Sequence, residues 1–135
     1  MIKIKHRINT LEDLESVDYK YGVELDIRAE GERLILHHDA FVKGIDFEEY
    51  LKEYNHGLMI LNTKCEGMEE KILELMEKYQ KQTMIVTSHD ISLLRFFDDI
   101  IICGEEKIIE QGNIKKLLLR EDSYLNKLIR YKNFI

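Results

Sequence analysis

Five short stretches place chemistry-bearing side chains at or near the ends of apolar runs. They are His6-Arg7, Glu24-x-Asp26, His38-Asp39, Asn62-x-Lys64 and Ser88-His89-Asp90. Residues two apart on a strand share a face, so Glu24 and Asp26 can reach one hard cation together. Histidines at neighbouring strand ends can pass protons near neutral pH. Arg7 and Lys64 offer positive charge to a phosphate. The set suits metal-assisted phosphoester chemistry. A purely structural account competes with it: Glu24 and Asp26 can pair with Lys5, Arg7 or Arg28 at a sheet edge, while His37 reads as packing and His56 as a turn residue.

The elements that must position these groups alternate. "MIKIKHR" and "GVELDI" have strand character, and "RLILHH" follows the second across an "AEG" turn. "NTLEDLESV" opens on cap candidates Asn9 and Thr10, and Asp46 can cap a helix with Phe47, Tyr50, Leu51 and Tyr54 on one side. "GLMILNT" is a compact strand. "MEEKILELMEKYQK" carries a helical stripe of Met68, Ile72, Leu75, Met76 and Tyr79, which is core packing. "TMIVTSH" and "DIIICG" are strands around a short helix "ISLLRFF". "KIIEQG" pairs nearby, and a closing helical segment breaks at Asp122-Ser123.

Strands alternating with helices predict an α/β fold with a mostly parallel sheet. The expectation is a partial TIM-barrel-like array, with an open doubly wound sheet as the alternative. The carboxyl ends of such strands form one rim, where sites are built. At 135 residues, without repeats or linkers, the chain reads as a single α/β domain over residues 1–135, with a junction near 80–83 as the other division.

Composition narrows the function classes. The chain is 44% hydrophobic and 34% charged, which suits an ordinary globular domain and argues against disorder. A net charge of −6 argues against a nucleic-acid partner. Cys65 and Cys103 form no CxxC and read as reduced thiols. No apolar run reaches the ~18 residues of a membrane span and the N-terminus lacks a signal-peptide core, so a cytoplasmic location is expected.

The order "HR", "GVELDIR", "LILHHD" and "NTK" resembles the glycerophosphodiester phosphodiesterase family over roughly residues 1–80. That resemblance implies a TIM-barrel-related fold and divalent-metal-dependent cleavage of a phosphodiester. It makes His6 and His38 the catalytic acid/base pair, Arg7 and Lys64 the phosphate holders, and Glu24 and Asp26 metal ligands. Asn62 stands where the family has a third acidic ligand; its amide oxygen can ligate a hard cation but brings no charge. The loop after His-Arg is short and lacks the family's Glu, and the chain falls below the ~200 residues of a full barrel.

Residues 83–119, "TMIVTSHDISLLRFFDDIIICGEEKIIEQGNIKKLLL", resemble the tail of an ABC-type ATPase, with His89 in the place of its switch histidine. "LMILNTK" sits where that family carries an acidic Walker B strand, but Asn62-Thr63 replace the acidic pair. No GxxxxGK[ST] loop is present to wrap phosphates.

The leading expectation is a metal-dependent phosphodiesterase-like hydrolase acting on a small glycerol- or sugar-linked phosphodiester, truncated or degenerate, with Ca²⁺ or Mg²⁺ as cofactor. A homodimer could complete its barrel. The alternative is a non-catalytic α/β module that binds a phospholigand or a partner, including a fragment related to ABC-type ATPases without nucleotide hydrolysis.

Overall fold

The computed structural model of the protein describes residues 1–79 and 83–132. The chain divides into two compact units, Met1–His89 and Asp90–Ile135.

The first unit is built on a nine-residue strand, β2 (Gly22–Glu30). Its first residues pair in parallel with β1 (Ile4–Lys5), through Ile4 with Gly22 and Lys5 with Val23. Its second half pairs antiparallel with β3 (Arg33–Leu36), which pairs in turn with β4 (Ile45–Asp46). On its other side β2 runs parallel to β5 (Met59–Thr63), and β5 runs parallel to β6 (Met84–Thr87). The sheet order is β4-β3-β2-β5-β6, with β1 attached to β2.

The expected parallel array is therefore corrected to a mixed sheet, and among the described residues the strands close no barrel. The physical cause is the turn between Glu30 and Arg33. Gly31 takes φ 59, as the first central residue of a two-residue hairpin of the II′ kind requires, and the chain folds straight back without a crossover helix.

Period-2 alternation gives β2 two jobs. Val23, Leu25 and Ile27 point to one side and are fully buried among Leu14, Leu36, Phe47, Tyr50 and Leu61. Glu24 and Asp26 point to the other. The helices cover the apolar side as their stripes demand. Thr10 caps α1 (Leu11–Glu15) by accepting from Asp13 N, and Asp46 caps α2 (Phe47–Glu53) by accepting from Glu48 N and Glu49 N. α3 (Glu69–Lys78) buries Ile72 and Leu75; the expected continuation of that helix through Gln80 and Lys81 lies outside the described residues. Tyr50, buried under this layer, donates its hydroxyl to Ile8 O at 2.8 Å and so ties the segment after β1 to the core. Burial pushes its phenol well above the ordinary tyrosine range.

The second unit holds a 3₁₀ turn (Ile91–Phe96), the antiparallel pair β7 (Asp99–Gly104) and β8 (Lys107–Asn113), and helices α4 (Ile114–Leu118) and α5 (Tyr124–Lys132). Ile114, Leu117 and Leu125 form its core against Ile100, Ile102 and Ile129. The helices break at Asp122-Ser123 because Glu110 reaches the start of α5, where its carboxylate accepts from Ser123 Oγ at 3.2 Å and Leu125 N at 2.9 Å. No described helix is long and apolar enough to cross a membrane.

Candidate functional site

Three parallel strands and a returning hairpin strand deliver polar groups to one place. Beyond β1 the chain crosses the polar side of β2: Ile8 N donates to Glu24 O at 3.0 Å, and Arg7 N donates to Glu24 Oε2 at 2.9 Å. Arg7 takes φ 55, a left-handed conformation uncommon outside glycine. On the other flank the β2–β5 register sets Asp26 opposite Asn62, and Lys64 N bonds Ile27 O at 3.0 Å. The hairpin brings β3 back so that His37 N bonds Asp26 O at 3.0 Å, which lands His38 on the same rim. His6, Arg7, Glu24, Asp26, His38, Asn62 and Lys64 thus form one connected cluster.

All four carboxylate oxygens in the cluster are already partnered. Glu24 Oε2 also faces His6 Nδ1 at 3.3 Å, and Glu24 Oε1 accepts from Asn62 Nδ2 at 3.2 Å. Asp26 Oδ2 accepts from Asn9 Nδ2 at 3.0 Å, while Asp26 Oδ1 meets Lys64 Nζ at 3.0 Å and Asn62 Nδ2 at 3.4 Å. Asn9 closes a reciprocal pair by accepting from Asp26 N at 2.8 Å. Both acids are buried, Asp26 to 1% exposure. Burial alone would raise the Asp26 carboxyl. The Asn9 amide and the Lys64 ammonium outweigh it and hold the group below the ordinary aspartate range.

Asn62 acts here as a donor. Carboxylates only accept, so its NH₂ faces Glu24 and Asp26, and its oxygen turns to Thr87 Oγ1 at 3.1 Å. Among the described residues no group of three His, Cys, Asp or Glu is disposed to hold a metal ion, so the expected metal-binding character is corrected. The physical reason is that amide N–H groups and the Lys64 ammonium occupy the oxygens of the two acids, and an amide, Asn62, stands where a third acid would be needed.

The outer part of the rim is open, with the Arg7 guanidinium and the Asp39 carboxylate both exposed there. Arg7 is exposed, and its Nη2 lies 3.1 Å from His38 Nε2. His38 Nδ1 in turn meets Asp39 Oδ1 at 2.8 Å. His38 keeps its place because the Arg28 guanidinium grips the His38 carbonyl from Nε at 3.1 Å and Nη2 at 2.7 Å, and also bonds Lys64 O at 3.3 Å. His6 is three-quarters exposed. His89, past the end of β6, is exposed as well. A cavity of about 140 Å³ opens elsewhere on this unit, against Arg33, Asp46 and Lys71, and includes none of the rim residues.

Sequence reasoning missed Asn9 and Thr87, and it assigned Arg28 only a generic ion-pair role. Asn9 looks like a helix cap, whereas Thr10 does the capping and Asn9 turns to an acid 17 residues away. The Asn62 amide direction was hidden too, since its partners lie 36 and 38 residues back.

No family model matches the chain. Curated relatives do. It is 28% identical over 80 residues to the glutathione/L-cysteine transport system ATP-binding/permease protein CydC of Haemophilus influenzae, covering 56% of this chain and 14% of that protein. Against the probable multidrug resistance ABC transporter ATP-binding/permease protein YheH of Bacillus subtilis it is 26% identical over 94 residues, 70% of this chain and 13% of that protein. Against the Escherichia coli CydC it is 35% identical over 72 residues, 50% of this chain and 13% of that protein. The chain thus spans about one seventh of the length of these relatives. The second alignment is longer than the whole unit Asp90–Ile135 and so runs into the first unit.

These relatives overturn the hydrolase, phosphodiesterase and TIM-barrel description, for which the comparisons give no support, and bear out the weaker of the two resemblances. Over part of its length, and at low identity, this chain is similar to ATP-binding/permease proteins of ABC transporters.

Proposed function

We propose that the protein is a non-catalytic α/β module that takes a phosphate-bearing ligand on the rim at the exposed Arg7 guanidinium, and that it is a fragment related to ABC-type ATPases without nucleotide hydrolysis of its own. The carrying observation is the division of charge in the cluster. Glu24 and Asp26 are consumed by internal partners, while the Arg7 guanidinium remains exposed at the edge. A guanidinium with free N–H groups suits a phosphate. The absence of a GxxxxGK[ST] loop and the Asn62-Thr63 pair argue against hydrolysis by this stretch of chain.

The test is titration calorimetry with inorganic phosphate, glycerol 3-phosphate and ATP, run beside a phosphate-release assay with ATP. Expected are saturable binding of the phosphates, loss of most of it in Arg7→Ala, and no release above the blank. ATP turnover, or binding indifferent to Arg7→Ala, would overturn the proposal. The similarity to ATP-binding/permease proteins favours ATP as the first ligand to try.

A further inference from the structure

At the start of β2, three ammonium groups gather on one aromatic ring. Lys3 Nζ and Lys5 Nζ each lie 5.8 Å from the centroid of the Tyr21 ring, and Lys20 Nζ lies 5.0 Å from it. The backbone holds the group together. Gly22 N donates to Lys3 O at 2.9 Å and Lys5 pairs with Val23, which lays β1 beside the turn that ends in Tyr21. Tyr21 N closes that turn on Asp18 O at 2.9 Å, and Gly57 N donates to Tyr21 O at 3.0 Å. Residues two apart on an extended segment share a side, so Lys3 and Lys5 reach the ring together. All three lysines are exposed. Asp18 compensates one of them, through an ion pair with Lys20 at 2.7 Å, while Lys3 and Lys5 form no ion pair among the described residues. A chain of net charge −6 thus concentrates positive charge on this face.

We infer that Lys3, Lys5 and Lys20 dock the protein on an anionic lipid surface. The placement of the charges selects that partner. The ammonium groups stand around a ring instead of converging on one point, which suits a plane of separate anionic headgroups better than a single phosphate. Lysine and tyrosine both carry an apolar body and a polar tip, the composition favoured where water meets lipid. An acidic peptide would need a groove, and the cavity against Arg33, Asp46 and Lys71 includes none of these residues. Like charges gathered this closely repel, and an anionic surface relieves the repulsion. Screening acts over about 8–10 Å at physiological salt, so acids on other faces do not cancel a patch pressed to the surface. The inference is independent of the phosphate site at Arg7.

The experiment is sedimentation of the full chain with phosphatidylcholine vesicles, with and without phosphatidylserine, at low salt. It is repeated with the double variants Lys3→Met/Lys5→Met and Lys115→Met/Lys116→Met and with Arg7→Ala. Lys115 and Lys116 are exposed on α4, so the second double variant removes the same charge from another place. All four lysines are exposed, and both double variants should keep the thermal midpoint of the parent. Each lysine close to an anionic surface is worth about fivefold in binding. Expected is binding only to vesicles that contain phosphatidylserine, weakened by added salt and by roughly ten- to thirtyfold in Lys3→Met/Lys5→Met. Lys115→Met/Lys116→Met and Arg7→Ala should bind nearly as the parent does. No binding to phosphatidylserine vesicles, equal binding without phosphatidylserine, or equal losses in the two double variants would overturn the inference and leave the Arg7 site untouched. Calorimetric binding of tripolyphosphate that depends on Lys3 and Lys5, with no vesicle binding, would overturn it in favour of a soluble polyanion.

Discussion

The Arg7 guanidinium and the His38 imidazole meet at 3.1 Å, Nη2 to Nε2, and this contact fixes the state of the ring. A guanidinium has donors and no acceptor, so His38 Nε2 must present its lone pair. The proton then sits on Nδ1, where Asp39 Oδ1 accepts it at 2.8 Å. So arranged, both of its nitrogens are committed within the protein.

The tautomer is directly measurable. Long-range ¹H–¹⁵N correlation at neutral pH should show His38 as the Nδ1–H form, and Arg7→Ala should shift it toward a mixture because Nε2 loses its donor. A predominant Nε2–H form in the parent protein would mean that the Arg7–His38 contact does not persist in solution.

Lys64 neutralises a carboxylate that has almost no access to water. Lys64→Met keeps most of the aliphatic stem and leaves Asp26 with only amide donors. Stripping one partner from a buried pair typically costs about 3–5 kcal/mol, and the partial exposure of Lys64 puts the expectation at the lower end, about 3 kcal/mol. Urea unfolding of the variant checks this; a loss under about 1 kcal/mol would show that Asn9 and Asn62 suffice.

Acid tests the same group from the other direction. Asp26 is held below its ordinary range in the folded protein, so its contribution is complete above the unfolded value of about 3.9 and is lost as the pH falls through the lower folded value. Stability measured by denaturant between pH 5 and 2 should therefore fall with acid, and the fall should be shallower in Asp26→Asn, which takes up no proton. Parallel acid limbs in the two proteins would count against the lowered Asp26 carboxyl.

Much of this arrangement could be read from residue spacing alone. Glu-x-Asp on a strand forces both acids to one side, and the Val23, Leu25, Ile27 alternation forces that side away from the core. The α3 stripe and the Asp46 cap were equally legible, because both follow from local periodicity and local hydrogen bonding. The direction of β3 was not. A terminal His-Asp looks the same on a parallel strand as on a hairpin strand, and only the short Gly31 turn carried the distinction. The fate of the acids was hidden for a different reason. Their capture by Asn9, Asn62 and Lys64 comes from contacts between distant parts of the chain, and no window of sequence contains both partners.

Asn62 is the residue on which the character of the cluster turns. Its NH₂ lies between Glu24 and Asp26 and supplies a donor to each, doing with an amide what a cation would otherwise do. Asn62→Asp exchanges that donor for a third carboxylate, while the only ammonium bonded to the acids stays that of Lys64 among the described residues. Like charges crowded in a partly buried site repel, and the former acceptors lose a hydrogen bond, so the variant should be destabilised by about 2–4 kcal/mol at neutral pH. Three convergent carboxylates are also a hard-cation site, so millimolar Ca²⁺ should recover a good part of the lost thermal midpoint in the variant and EDTA should reverse the recovery. The parent protein should respond to neither. Recovery by Ca²⁺ of the same size in both proteins would show that the amide is not what separates this rim from a metal centre, and an unchanged midpoint in Asn62→Asp would show that the amide does not bridge the two acids at all.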